Sequence, residues 1–201
     1  PEMNNALTLN PSCFSDALNW ADGQIKTSMK YGAEIISPFD SSYPLLLLNT
    51  ADRPNILFTI GDISKNNRSV AIVGTREPTH HSQVIAARIT SYFCENGWSI
   101  VSGLALGCDS IAHRTAINNK SHTVAVMAHG LDMVYPYQNE NLAKDILKSG
   151  GALISEYPFF TKPEKKNFVK RDYVQAGLSQ GVVMIASSLT GGSLHASRAS
   201  L

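Results

Sequence analysis

From Arg68 onward, apolar runs of strand length alternate with stretches of helix length. The runs near 70–74, 98–102, 122–128, 152–155 and 181–187 each carry three or more apolar or β-branched residues, as strands buried on both faces do. Between them, residues 82–96 place Val84, Ile85, Ile89, Tyr92 and Phe93 at helical spacing, and Gly97 supplies a stop. Strand, helix, strand repeated in this way predicts a parallel sheet covered by helices on both faces. The expected class is α/β, a Rossmann-like, doubly wound and mostly parallel sheet.

Before Ser64 the pattern is less regular. Phe14 to Met29 is the best helical candidate, Tyr43-Pro-Leu-Leu-Leu-Leu48 follows, and Arg53 to Gly61 contains an apolar segment suited to an edge strand. We read 1–64 as an extension packed on a core of 65–201. The chain begins with Pro1 rather than Met, as a piece of something longer would, and stops at Leu201 just after a last helix would begin, so that either the sheet ends early or the natural protein goes on.

Composition narrows the possibilities modestly. Seventeen Lys and Arg against sixteen Asp and Glu leave a formal charge of +1, so contact with nucleic acid has to come from local clusters of cations. Cys13, Cys94 and Cys108 are widely separated, which fits reduced, buried thiols better than a zinc site or a disulfide framework. No apolar run reaches the length of a membrane span, and the amino end lacks the blocks of a signal peptide. The expectation is a cytoplasmic protein without a membrane partner and without a metal or other cofactor.

Candidate chemistry gathers where strands end in glycine or hydroxyl turns. Val101 to His113 runs from a strand through Ser102, Gly103 and Gly107 into a helix that Asp109 and Ser110 could cap. Such a turn offers amide N–H groups and a positive dipole end to an anion. Gly74, Thr75 and Arg76 follow another strand, with a guanidinium suited to bidentate phosphate binding. Gly191, Gly192 and Ser193 repeat the arrangement after residues 181–187. In open α/β sheets, ligands sit along this carboxyl edge. Lys162 to Arg171 is the densest basic segment, read here as a loop in which Lys165, Lys166, Lys170 and Arg171 track phosphates while Phe168 offers a face to a base. Asp109 and His113 stand four residues apart on one helix, where a cap and a satisfied histidine explain them better than an acid/base pair. Glu156 is read as orienting a basic neighbour, and His80, His81, His122 and His129 show no ligand spacing.

Several of these blocks, in their order, resemble the DprA/Smf family of DNA-processing proteins. The resemblance rests on Tyr43-Pro44, Pro54 and Gly61, then Ile72-Val-Gly-Thr-Arg76 and Ser102 to His113. It continues through Gly130-Leu-Asp-Met-Val-Tyr-Pro136 with Asn139 and Leu142, and Ile154-Ser-Glu-Tyr-Pro158. Phe168, Arg171, Ala176-Gly-Leu-Ser179 and Gly191-Gly-Ser-Leu194 complete it, so that it spans residues 43–201. It implies a Rossmann-like domain, single-stranded DNA binding by a homodimer without catalysis, and delivery of that DNA to a RecA-type recombinase in natural transformation. A small winged-helix-like domain often follows in such proteins.

Three positions depart from the family pattern. Arg171-Asp-Tyr173 stands where Arg-Asn-Arg is usual, His81-Ser82 where Tyr-Gly is common, and His195 in place of a Thr. The alternative reading is a nucleotide-binding sensor or a phosphoribohydrolase-like enzyme on the same fold. Against hydrolysis, the chain has no Pro-Gly-Gly-x-Gly-Thr segment.

Overall fold

The computed structural model describes residues 11–65 and 68–186. The expected Gly191, Gly192 and Ser193 turn lies outside the described residues. Helix α1 (Pro11–Tyr31) leads to strand β1 (Glu34–Ile36), the short helix α2 (Leu45–Leu48) and strand β2 (Leu57–Gly61). The alternating part follows as β3 (Ser69–Gly74), α3 (His80–Glu95), β4 (Ser99–Ser102), α4 (Cys108–Asn118), β5 (Thr123–Met127), α5 (Glu140–Lys148), β6 (Ala152–Ser155), α6 (Lys165–Gly177) and β7 (Val182–Ile185).

All seven strands form one sheet in the order β1-β2-β6-β5-β4-β3-β7. Five of them, β6 through β7 in that order, run parallel, as expected for strands joined by helices. The extension is hydrogen-bonded into the same sheet, β2 antiparallel to β6 and β1 antiparallel to β2. The 53–61 segment therefore lies one strand in from the edge expected for it. The three-residue β1 takes the edge instead.

Alternation along the strands divides the core into two layers. Ala71, Val101, Val124, Val126 and Ile154 face one side with Leu47 of α2 and Val174 of α6. Val70, Ile72 and Ile100 face the other with Ala86 of α3 and Ala112 and Ala116 of α4, while Met127 and Leu153 on that side meet Leu142 and Ile146 of α5. Of the cysteines, Cys94 and Cys108 are buried but Cys13 is exposed on α1, against the expectation.

The chain's progress through the sheet also fixes where a ligand would go. From β3 it steps outward through β4, β5 and β6, then α6 carries it back to β7 on the far side of β3. The strand order reverses between β3 and β7. In open sheets the crevice at the carboxyl ends of strands flanking such a reversal is the usual binding place. Thr75 and Arg76 stand there.

Candidate nucleic-acid interface

Backbone contacts pin three strand-end turns to one another. Thr75 N–H donates to the Ala186 carbonyl at 2.9 Å, and Cys108 N–H at the start of α4 donates to the Thr75 carbonyl at 3.1 Å. These contacts need glycine. A Cβ on Gly107, whose φ is +78°, would run into the carbonyls of Thr75 and Arg76, and one on Gly74 would strike the Ile185 carbonyl and the Cys108 Sγ. The first amide of α4 is thus already bonded inside the protein. Gly74 and Gly107 bring backbone against backbone here, where the sequence suggests an approach to a ligand.

The turn after β4 is likewise occupied from within. Ser102 is fully buried, and its hydroxyl donates to the Ile72 carbonyl at 2.6 Å. That donor was expected at a phosphate; instead it ties β4 to β3. Asp109 points back at the turn rather than capping its own helix, accepting from Gly103 N–H at 3.1 Å and Ala105 N–H at 3.3 Å. Leu104 between them has φ +56°, a left-handed conformation that costs a residue with a side chain about 1–2 kcal/mol. Asn139 offsets this cost by donating to the Leu104 carbonyl at 2.8 Å and to Ser110 Oγ at 2.9 Å. Burial raises the Asp109 carboxyl above its usual range, opposed by the Arg171 charge.

Residues 165–171, expected as a loop, form the first turns of α6. Helix formation separates the basic cluster into two sets. Lys165, Lys166 and Lys170 remain exposed, Lys166 in an ion pair with Glu164 at 2.9 Å; both partners are open to solvent, so the pair contributes little. Arg171 turns inward and is only 6% exposed. Its Nη1 donates to the carbonyls of Gly103 at 2.6 Å and Val126 at 3.0 Å, and its Nε donates to Asp172 Oδ1 at 3.1 Å. Its guanidinium fills the space that a side chain on residue 103 would need. The Gln175 amide, oriented to satisfy both ends, accepts from Gly103 N–H at 2.8 Å and donates to Asp172 at 3.2 Å. Arg171, expected at the DNA backbone, therefore serves as a bracket between α6 and the ends of β4 and β5.

Phe168 is where the separate predictions meet. Its half-buried ring lies 5.4 Å from the Arg76 guanidinium and 5.7 Å from that of Arg171, both within cation–π range. Tyr135, from the segment between β5 and α5, approaches the same ring at 5.9 Å between centroids. Arg76 is exposed and so shares a face with the aromatic ring and the start of α6. Sequence reasoning places Tyr135 within a motif but gives it no role at the site. Its signal is an aromatic residue next to Pro136 in a segment otherwise suited to a turn.

Asp109 and His113 do not form a pair. His113 Nδ1 lies 2.8 Å from Thr123 Oγ1, which itself donates to the Ile100 carbonyl, so the imidazole is the donor and Nε2 has no hydrogen-bond partner. Burial, aided by Arg171, pushes its pKa down to about 3. His122 bridges Ser99 and the Asp62 carbonyl, and His129 accepts Tyr135 N–H at 3.2 Å. Both are held below the ordinary histidine value, burial being the main cause. Among the described residues no group of three or more His, Cys, Asp or Glu could hold a metal ion, and no helix is long and apolar enough to cross a membrane.

A mostly parallel sheet with its strand-order reversal beside Arg76 defines a Rossmann-like domain. Comparison with known proteins narrows this: the model of the DNA recombination-mediator protein A family matches residues 34–201, and the chain belongs to that family. It is 38% identical over 165 residues to DNA processing protein DprA of Bacillus subtilis, covering 81% of this chain and 55% of that protein. It is 36% identical over 170 residues to protein Smf of Escherichia coli, covering 82% and 44%. The chain spans about half the length of these curated relatives. Among solved structures, DprA from Streptococcus pneumoniae superposes with a TM-score of 0.81 at 32% identity, over 94% of this chain and 67% of that one. DNA processing protein A from Helicobacter pylori, solved for its single-stranded DNA binding mode, gives 0.75 at 30% identity over 83% and 75%.

Proposed function

We propose that this domain binds single-stranded DNA on the face bearing Arg76 and Phe168. One observation carries the reading: a guanidinium leaving the end of β3 stands over an aromatic ring presented by α6, 5.4 Å away. The ring offers a base a stacking surface, the guanidinium offers a phosphate two parallel donors, and Lys165, Lys166 and Lys170 continue the positive charge along the helix. Thr75 lies beside Arg76 at the same strand end. Ser102, Gly103, Gly107, Gly74 and Arg171 form the floor that holds these groups in place. The single-stranded DNA binding of the H. pylori relative supports the choice of ligand.

Stacking and phosphate contact read little base sequence, so the domain binds without strong sequence preference. In the cytoplasm, the whole protein would act as a homodimer that protects incoming single strands and passes them to a RecA-type recombinase during natural transformation.

The test is a salt titration of labelled single- and double-stranded oligonucleotides, with wild type and Arg76→Ala. Tighter binding of the single strand, weakened at every salt concentration by the substitution, is expected. Equal affinity for both forms, or indifference to Arg76→Ala, overturns the reading.

A further inference from the structure

The segment between β5 and α5 carries more exposed apolar surface than its connecting role requires. Met133, Tyr135 and Tyr137 there are 36%, 44% and 77% exposed, and Leu106 in the turn after β4 is 40% exposed. They line an open cleft of about 830 Å³ whose floor includes Leu131 and Leu153. Tyr135 forms one wall of this cleft and also touches the Phe168 ring. The cleft and the Arg76–Phe168 platform are therefore continuous.

The charges around the cleft argue against a phosphate there. Glu140 and Lys144 at its rim pair at 2.6 Å, and Asp132 Oδ1 is engaged by Phe160 N–H at 2.7 Å. What the cleft offers is flat aromatic and aliphatic contact beside a platform suited to a neighbouring phosphate and base. Exposed apolar patches of this kind mark binding surfaces.

Resting on the single-stranded DNA reading above, we infer that this cleft is a second base subsite, taking the base of a nucleotide adjacent to the one stacked on Phe168. Tyr135 divides the two subsites, and Tyr137 with Met133 supplies the second surface. In a duplex both faces of each base are already stacked, so neither subsite can be filled without unstacking. The pair of subsites is thus a source of preference for single strands.

The test compares two fluorescently labelled oligonucleotides of one length, oligothymidylate and the same strand with abasic residues at its internal positions. Both carry the same phosphates. Loss of one stacked base corresponds to about a 5- to 150-fold change in affinity. Tyr137→Ala is expected to weaken oligothymidylate binding within that range, to leave the abasic strand unaffected and to leave the salt slope unchanged. Tyr137→Phe, which keeps the ring, is expected to bind as wild type. Photocrosslinking of a 5-iodouracil oligonucleotide, mapped by mass spectrometry, is expected to mark Tyr135 or Tyr137. Unchanged binding by Tyr137→Ala, or an equal loss on both strands, overturns the subsite. If Arg76→Ala weakens both strands while Tyr137→Ala weakens neither, the subsite falls and the single-stranded DNA reading stands. If wild type binds neither strand, both fall.

Discussion

Arg171→Ala separates a structural guanidinium from a DNA-contacting one. The side chain is 6% exposed and makes three hydrogen bonds, two to carbonyls at the ends of β4 and β5 and one to Asp172. Its removal leaves those two carbonyls short of a donor and the buried Asp172 and Asp109 without their nearby cation. Breaking a buried ion pair from one side costs about 3–5 kcal/mol, and we expect a loss in that range because water cannot readily reach the emptied site. For a chain of this size that corresponds to a fall in Tm of about 6–20 °C. The assay is denaturant unfolding followed by circular dichroism, with the m-value checked for constancy so that a shift in midpoint reports stability. Arg171→Lys is expected to recover only part of the loss, since one ammonium cannot reproduce the planar fork. An Arg171→Ala protein within about 0.5 kcal/mol of wild type, the scatter of neutral surface changes, yet tenfold weaker for single-stranded DNA, would refute the bracket.

Arg76→Ala is expected to do the opposite, with stability unchanged to within about 0.5 kcal/mol and the single-strand salt slope reduced by about 0.7 for each phosphate that the guanidinium neutralises; a large fall in Tm would contradict it. Gly107→Ala forces a side chain into φ +78° and into two carbonyls, so a destabilisation above about 2 kcal/mol is expected together with weaker DNA binding; wild-type unfolding and binding would show that the turns are not interlocked. Acidification is expected to destabilise the fold: His113 has a folded pKa of about 3 against an unfolded value of 6.5, so its contribution is full above 6.5 and declines towards 3 by up to about 1.4 kcal/mol per pH unit. Asp109, raised by burial, works in the opposite sense, because between its ordinary and raised values the folded chain binds the proton first. His113→Gln is expected to flatten the acid limb of stability against pH, and an unaltered slope would exclude His113 as its source.

The legible parts of this sequence are those whose burial is apolar. Strands β3 to β6 appear as continuous runs because both faces are covered, and α3 shows its inward stripe. Helix α6 is hidden because its inward face includes Asn167, Arg171, Asp172 and Gln175, which gives no apolar periodicity. The same lysines that suggest a basic loop occupy its exposed face. Arg171 looks like a ligand contact because arginines are rarely buried, and only the facing carbonyls of Gly103 and Val126 reveal its partners. Strand β1, three residues long, takes its identity from pairing with β2. At the site, Arg76 and Phe168 are individually readable, but their meeting depends on the return of the chain from β6 across to β7. Tyr135 is unreadable for the same reason, since its neighbour Phe168 lies 33 positions away.

The bracket beneath Phe168 also bears on the thermodynamics of recognition. Because Arg171 is committed to the protein's own carbonyls, the aromatic surface acquires its orientation during folding. On the proposed function, an arriving strand would meet a surface already arranged and would itself supply most of the ordering entropy. Association at this face should therefore depend more on the stiffness of the oligonucleotide than on rearrangement of the receptor.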